Sequence, residues 1–317
     1  MSSPVPSPQS PVPVSLAHRA EYAALRALVG TLSTLSWRQA GNVGARIGAL
    51  GYKPLGIRRA VVERQIAAAF PGLSERGVRQ VARGAYEHLG RSFVETAILP
   101  GMKPNAVLDL FEDADTFHVV ETALSKGRGL IFVGGHLGNW EIAGAYVAAR
   151  GVRVDAITRR MKNPLFDRYV TETRARLGMD VVHDAEAVRR TPRSLRDGRA
   201  VAFVADQGVL GLASTFVPFF GRPAKTPRGP AVFALRLNVP VVFAAAIRQP
   251  SGKYRFVFEP VEVEDTGDRE RDVDAIVRRY TAALERWVRR YPEQYFWHHR
   301  RWKRQPPGTP PELQEPV

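Results

Sequence analysis

The sequence contains no cysteine. This excludes a disulfide framework, a thiol nucleophile and a cysteine-ligated metal, while the cellular compartment stays open on this count. Lysine is scarce, with seven residues against 39 arginines. The N-terminal segment 17–50 also lacks a long apolar run, because its longest stretch without a charged side chain, Ala27 to Trp37, is too short to span a bilayer.

Acidic residues are outnumbered by basic ones. The 317 residues include 31 Asp and Glu against 46 Lys and Arg, which gives a formal net charge of +15. This excess predicts an anionic partner: a phosphorylated substrate, an anionic membrane surface or nucleic acid. The balance of 44% hydrophobic and 24% charged residues is typical of a globular protein and excludes wholesale disorder.

Composition and periodicity divide the chain into four segments. Residues 1–15 are rich in Pro and Ser and lack the basic start and apolar run of a secretory signal, which predicts a disordered leader. Residues 16–108 are predicted as a helical, membrane-associating region and residues 109–304 as an α/β domain. Residues 305–317, with five prolines, are predicted as a flexible tail.

The N-terminal region has three segments of helical periodicity. They are 17–50, 57–70 and 74–99, with Ser74 as the N-cap of the last. The first has leucines at spacings of three and four with arginines between them. A helix packed on the domain and an amphipathic helix lying on a membrane both fit this pattern.

Beyond residue 110, short apolar runs alternate with amphipathic stretches of ten to fifteen residues. This alternation predicts an α/β fold, with a mixed, largely parallel central sheet flanked by helices. The expected strands are 129–133, 152–157, 179–182, 200–205, 239–247 and 254–263. The expected helices are 139–150, 164–177, 184–196, 228–237 and 269–291.

The segment Val133 to Glu141 lies where an apolar run ends and a helical pattern begins. Open α/β sheets place their sites at this end of a strand. Asn139 can cap the helix, so His136 lies just ahead of it and Glu141 in its first turn. The carboxylate can then hold the imidazole as a general base for an alcohol. A loop histidine satisfied by a helix-start glutamate is the alternative without chemistry.

The motif Gly-His-Leu-Gly-Asn-Trp-Glu resembles the His-x4-Asp/Glu block of bacterial lipid A biosynthesis acyltransferases. These are the late lauroyl and myristoyl transferases, related to phosphatidylinositol mannoside acyltransferases. Four further blocks resemble the family's signatures in the same order. They are 69–74 with 86–90, 159–164, 206–207 with 216–221, and 295–303.

The resemblance implies a glycerolipid-acyltransferase-like fold and transfer of a fatty acyl chain. The donor would be acyl-acyl carrier protein, and the acceptor a hydroxyl of a lipid A precursor or similar glycolipid. His136 and Glu141 would be the catalytic dyad, with direct attack by the acceptor hydroxyl. Backbone N–H groups of Gly135, Gly138 and Asn139 at the helix start are expected to bind the oxyanion or form the turn.

Two further groups are candidates for substrate binding. Arg159 follows a strand and resembles a family position for substrate phosphate, although an ordinary charged residue also fits. Asp206 and Gln207 end another strand and are expected in the crevice of His136, with a turn-capping Asp as the alternative.

Lys225 and Arg228 follow the aromatic loop 216–220. One interpretation is a cationic clamp for a phosphorylated headgroup, and the other is a solvated loop over packed aromatics. The basic aromatic run 295–303 fits a membrane interface, a structural role or nucleic-acid stacking. Its two histidines lack an acidic partner at metal spacing, so neither a metal nor another cofactor is expected.

The expected setting is the cytoplasmic face of the bacterial inner membrane, with peripheral attachment of a monomer to the anionic surface. No nucleic-acid partner is expected. A phosphatidylinositol-mannoside-type or other glycolipid acyltransferase using acyl-CoA is the near alternative. A thioesterase with water as acceptor, and a non-catalytic lipid- or nucleic-acid-binding protein, are the more distant ones.

Overall fold

The computed structural model describes residues 13–112, 116–208 and 213–316. Its N-terminal part is helical, as the periodicity predicts. The helices are α1 (Leu16–Leu32), α2 (Trp37–Tyr52), α3 (Arg59–Ala69), α4 (Glu75–Ile98), α5 (Pro104–Leu108) and α6 (His118–Leu124).

The expectation of one helix over 17–50 is wrong, because the chain breaks between α1 and α2. Ser33 donates its hydroxyl to the carbonyl of Val29 at 2.8 Å. Ser36 then begins α2 with a capping box, accepting from the N–H of Gln39 at 3.4 Å and donating its own N–H to the Gln39 side chain at 3.0 Å. Serine side chains that compete for backbone groups favour such a break.

The rest of the described chain alternates strands and helices, and the predicted fold class is confirmed. The strands are β1 (Leu130–Gly134), β2 (Val154–Thr158), β3 (Met179–His183), β4 (Ala200–Val204), β5 (Ser214–Phe219), β6 (Arg222–Pro227), β7 (Val241–Arg248) and β8 (Tyr254–Val261). The helices are α7 (Trp140–Ala149), α8 (Pro164–Arg176), α9 (Asp184–Arg196), α10 (Gly229–Leu237) and α11 (Arg269–Arg290).

The central sheet has the strand order β3-β2-β4-β1-β7-β8. Neighbouring strands are parallel from β3 to β7, and β8 pairs with β7 in the antiparallel sense. In β1, Ile131 and Val133 pack into the core beneath α10 and α11, and Leu130 and Phe132 into the core with α7. Both faces are therefore covered, which is why β1 reads as a continuous apolar run.

The expected aromatic loop over 216–220 is instead part of a hairpin. Strands β5 and β6 pair in the antiparallel sense, with Pro218 opposite Pro223. Phe220 and Gly221 form the two-residue turn, with φ angles of 52° and 73°. Prolines cannot donate to a ladder and argue against strands in a sequence, so the pattern concealed the hairpin.

Helices α2 and α4 pack closely in antiparallel directions. Gly44 lies against Gly90, and a side chain on Gly48 would clash with the carbonyl of Tyr86. Only glycine allows the two backbones to approach this closely. The contact runs from Gly41 to Gly48 of α2 and from Glu95 back to Tyr86 of α4.

The segments predicted as leader and tail are described only in part. Residues 1–12 of the predicted leader lie outside the described residues, and Ser15 caps α1. In the predicted tail, Glu315 forms an ion pair with Arg300 at 2.5 Å, and the carbonyl of Gln314 accepts from Arg222 at 2.7 Å.

Candidate active site

Strand register brings His136 and Asp206 together. Strands β1 and β4 are parallel neighbours, with Gly134 opposite Val204. His136 and Asp206 each follow two residues later, at the same edge of the sheet. The Nδ1 atom of His136 lies 2.7 Å from Oδ1 of Asp206, and the His136 backbone N–H donates to Oδ2 at 2.9 Å.

The electrostatics of this pair favour its charged form. Burial alone would raise the pKa of Asp206, but the charge of His136 and its ring and backbone hydrogen bonds outweigh burial and hold that pKa well below its usual range. Burial also opposes charge on His136, yet the Asp206 carboxylate raises the pKa of this imidazole. Since a carboxylate only accepts, Nδ1 carries the proton and Nε2 is left to exchange one with a ligand.

The loop between β1 and α7 is fixed by its backbone. A side chain on Gly138, at φ 64°, would clash with the carbonyl of Ala246. Asn139 caps α7 by accepting from the N–H of Ile142 at 3.2 Å, which confirms its predicted capping role. A Cβ on Gly135 would lie 2.7 Å from a methyl group of Leu284, so Leu284 would have to shift to admit a side chain in this turn.

Two of the expected oxyanion donors are already engaged. Gly138 donates its N–H to the carbonyl of Gln294 at 2.9 Å, and Asn139 donates to the carbonyl of Ala246 at 3.1 Å. In this arrangement both residues shape the turn. An oxyanion role for Gly135 stays a prediction.

The C-terminal signature completes the same loop. The N–H of Phe296 donates to the carbonyl of His136 at 2.9 Å, and Leu137 forms a bridge with Tyr295. Trp297 and Trp302 are 0% exposed, so these two indoles belong to the core and do not seat at a membrane interface. Of the interpretations open from sequence, the structural role fits these residues.

Glu141 contacts Arg174 of α8. The guanidinium donates to its two carboxylate oxygens at 3.0 and 2.5 Å, and both side chains are largely buried. The hydrogen bond to His136 that the spacing suggests for Glu141 is made by Asp206, and Glu141 reaches the imidazole only through its charge, which also raises the pKa of His136. Trp140 packs its ring on the imidazole, with centroids 4.8 Å apart.

Gln207 lies close to the pair, and Lys225 lies beside Gly208, two residues after Asp206; a substrate-binding role for either remains a prediction. The Gln207 amide nitrogen is 3.2 Å from Nδ1 and 3.4 Å from Nε2 of His136. Lys225 packs against the backbone of Gly208, where an added Cβ would lie 3.1 Å from the Lys225 Cβ. Both residues therefore flank the strand end that carries Asp206.

Arg159 and Arg228 are held elsewhere. Arg159 is exposed at the end of β2 and pairs with Asp184 at 3.3 Å. Arg228 lies against α11, where it pairs with Glu270 at 2.7 Å and Asp274 at 3.5 Å. A substrate-binding role for either remains a prediction, and Arg228 would first have to leave two carboxylates.

A buried polar network behind the loop escaped the sequence analysis. Glu95, 1% exposed, accepts from Tyr254 at 2.5 Å and from Arg248, and the Asn139 amide lies 3.4 Å away. His88 lies 3.1 Å from the carbonyl of Gly138. The signal was a polar stripe on α4 at spacings of four and three: His88, Ser92 and Glu95.

Burial lowers the pKa of His88 to about 4, so this imidazole is neutral at neutral pH. Its Nε2 atom faces a carbonyl oxygen and must therefore carry the proton. His88 thus acts as a donor that fixes the turn before α7.

An apolar groove of about 410 Å³ opens beside this site. Its walls come from α1, α4 and α8 and include Leu25, Phe93 and Phe166. Trp140 and the Glu141–Arg174 pair border it and also border a smaller cavity of about 100 Å³ against the sheet. An extended apolar ligand in the groove would therefore reach the residue that packs on His136.

Comparison with known proteins identifies the class of reaction. The family model described as bacterial lipid A biosynthesis acyltransferase matches residues 18–304. The chain belongs to this family. Membership assigns it to the acyltransferases of lipid A and related glycolipids, and implies an acyl donor and a lipid acceptor.

Individual members of the family are similar over different shares of the chain. A lipid A biosynthesis lauroyltransferase of Escherichia coli (strain K12) is 26% identical over 271 residues, which cover 85% of this chain and 87% of that protein. A lipid A biosynthesis palmitoleoyltransferase of the same strain is 26% identical over 268 residues, or 84% and 85%. A phosphatidylinositol mannoside acyltransferase of Mycolicibacterium smegmatis is 27% identical over 158 residues, or 48% and 51%.

Across the described ranges of this acyltransferase, no helix has both the length and the apolar character needed to cross a bilayer.

Proposed function

We propose that this acyltransferase moves a fatty acyl chain from acyl-acyl carrier protein to a hydroxyl of a lipid A precursor or similar glycolipid. The observation that carries the proposal is the His136–Asp206 contact at the end of two paired strands, beside an apolar groove. Family membership supplies the reaction class, and this contact supplies a base with a defined proton-accepting atom.

In the proposed mechanism, Nε2 of His136 takes the proton from the acceptor hydroxyl as its oxygen attacks the thioester carbonyl. The tetrahedral intermediate collapses with cleavage of the C–S bond, and the imidazolium returns the proton to the leaving thiolate. Asp206 orients the ring and stabilises the imidazolium. The chain has no cysteine, and the direct route needs no acyl-enzyme intermediate.

The oxyanion needs donors on the acceptor side of the imidazole. The Gln207 amide, 3.4 Å from Nε2, is the candidate that the geometry favours, and Lys225, beside Gly208, is a second, cationic candidate. Gln207 would shift from the ring to the carbonyl oxygen when substrate binds.

Glu141 keeps a role in this proposal, but an indirect one. Its charge favours the imidazolium, while its pairing with Arg174 fixes the wall shared by the groove and the inner cavity. The acyl chain is proposed to occupy the groove, with Trp140 between its apolar wall and the reacting carbonyl.

The proposed setting is the cytoplasmic face of the inner membrane, with peripheral attachment. The net charge of +15 favours an anionic surface, an acidic carrier protein and a phosphorylated acceptor. Arg159, exposed at the same edge of the sheet, is the proposed contact for an acceptor phosphate.

The test is acyl transfer in mixed micelles, with acyl-acyl carrier protein or acyl-CoA and a tetra-acylated lipid A precursor. His136→Ala is expected to lower the rate about 10³-fold, because general base catalysis contributes about 10²–10⁴-fold. Circular dichroism and thermal melting establish that the variant is folded. Val188→Ser, a change at an exposed position of α9, is the neutral control and should transfer at the wild-type rate.

Transfer that persists in folded His136→Ala would disprove the mechanism. Wild-type thioester hydrolysis that requires His136, without transfer to the lipid A precursor, would keep the chemistry and show that this precursor is not the acceptor, which leaves another glycolipid or water. A preference for acyl-CoA would revise the donor.

A further inference from the structure

An open, basic groove lies between the C-terminal end of α2 and the first half of α4. Its volume is about 530 Å³, and four of its lining side chains are cationic: Lys53, Arg76, Arg79 and Arg83. In the part of the chain that the structure describes, neither Lys53 nor Arg76 forms an ion pair. The groove is separate from the residues that surround His136.

The other two cations have only weak partners. Arg79 pairs with Glu75 at 3.1 Å and Arg83 with Glu87 at 2.8 Å, each one turn away on the same helix. Such exposed pairs contribute little and exchange readily for another anion. The groove therefore presents the charges of Lys53 and Arg76, which no described carboxylate pairs, and two further cations held only by exposed partners.

The loop that follows α2 presents apolar side chains beside these cations. Leu55 is 66% exposed and Ile57 is 54% exposed. The loop is nevertheless fixed, because Leu55 donates its N–H to the carbonyl of Leu50 at 3.1 Å and Ile57 donates to that of Gly51 at 2.9 Å. The hydroxyl of Tyr86 on α4 also donates to the carbonyl of Ile57.

The apolar surface continues along α2. Ile47 and Leu50 are each about half exposed, and Arg46 lies exposed beside them. Fixed apolar side chains next to unpartnered cations are typical of surfaces that enter a lipid interface, where the side chains reach the acyl boundary and the cations meet phosphates. A protein partner would need a pocket that matches the exposed loop tip, whereas a lipid layer needs none.

We infer that this surface docks the protein on an anionic bilayer. Leu55 and Ile57 enter the interface, and Lys53 and Arg76 contact headgroup phosphates. The inference rests on the proposed function only in that a membrane lipid is the acceptor; the docking itself requires no catalysis. The attachment surface is then a short loop and a cationic groove, which lie in a region of the chain distinct from the candidate active site.

Flotation of the full chain with vesicles tests the inference. One vesicle is phosphatidylcholine alone, and the other also contains phosphatidylglycerol. Lys53→Gln with Arg76→Gln is expected to weaken binding to the anionic vesicle about 25-fold, since each cation near such a surface contributes about fivefold. Leu55→Ser with Ile57→Ser is expected to weaken binding to both vesicles, and to do so at high salt as well.

Matched controls lie on α9, which packs on β2, β3 and β4. Arg189→Gln with Arg193→Gln removes two exposed cations, and Val188→Ser removes an apolar side chain that is 76% exposed. Neither control is expected to change vesicle binding by more than about twofold. Equal losses of vesicle binding in the arginine control and in the groove variant would show that only the net charge of the protein matters, and would overturn the inference.

Unchanged vesicle binding in both test variants overturns it as well. If the same variants lose binding of acidic acyl carrier protein, measured by pull-down, the groove is a protein-docking site. His136→Ala separates this inference from the proposed function: it should lose acyl transfer in micelles and float with anionic vesicles as wild type does.

Discussion

Two regions of this acyltransferase concentrate charge in opposite ways. At the carboxyl edge of the sheet, Asp206 and Glu95 are almost fully buried, and their oxygens accept hydrogen bonds from the protein. On the α2–α4 face, Lys53 and Arg76 are exposed and have no acidic partner among the described residues. The first arrangement fixes atoms for chemistry, and the second leaves charge available to something outside the protein.

The physical difference is the local dielectric. A buried charge must be paired because desolvation is costly, so its partner is part of the fold. An exposed charge is screened by water and salt, and an unpartnered one costs little. The contrast predicts large effects of single changes at the sheet edge and small ones on the helical face.

The largest effect on stability is expected from Arg248→Met, which leaves Glu95 buried without its cation. We expect a loss of about 3–5 kcal/mol in the free energy of unfolding at neutral pH. The matched exposed change, Arg79→Gln, should cost at most about 1 kcal/mol. Urea unfolding measures both, and equal values would remove the contrast between the two regions.

The pH dependence of this loss identifies its cause. Burial already raises the pKa of Glu95, and removal of Arg248 should raise it further. A carboxyl group with a raised pKa in the folded state destabilises the fold where it is ionised. The loss should therefore shrink as the pH falls from this raised pKa towards the ordinary Glu value.

The next effect is expected on activity and on the fall in kcat/KM at low pH. Because Asp206 raises the pKa of His136, the neutral base forms only above the ordinary His range, and kcat/KM should rise with pH through that raised value. Asp206→Asn should lower kcat/KM at its high-pH plateau about 100-fold. It should also move the fall in kcat/KM to a pH below the ordinary His pKa, because burial lowers the pKa of His136 and the Asp206 charge no longer opposes it.

Glu141→Gln provides the comparison at the same imidazole. The Glu141 carboxylate also raises the pKa of His136, but only through its charge and without a hydrogen bond. The pH at which kcat/KM falls should therefore move in the same direction as in Asp206→Asn, but by a smaller amount. A larger shift in Glu141→Gln than in Asp206→Asn would show that Glu141 is the partner that governs the base.

The last comparison concerns packing within the helical region itself. Gly48→Ala would bring a Cβ against the carbonyl of Tyr86, and such overpacking typically costs about 1–3 kcal/mol. Gly30→Ala on α1 meets nothing within 4 Å and should stabilise the protein by about 0.4–1 kcal/mol. Thermal melting of the two variants compares them, and a loss in both would contradict the packing argument.

Much of the fold could be predicted from local sequence patterns. The apolar run 129–133 predicted a buried strand, and both faces of β1 are covered. Asn139 ahead of an apolar helical pattern predicted its cap because capping is a contact between near neighbours in sequence. The hairpin was missed since Pro218 and Pro223 conceal strands whose pairing depends on a two-residue turn.

The sequence by itself determined that His136 follows a strand and precedes a helix, and that Asp206 ends another strand. Only the tertiary structure decided that Asp206, and not Glu141, bonds to the imidazole. The two strands lie side by side in register although they are 70 residues apart, and strand order is a property of the whole sheet. Glu141, five residues away from His136, lies in the first turn of α7, whose packing turns its carboxylate to Arg174.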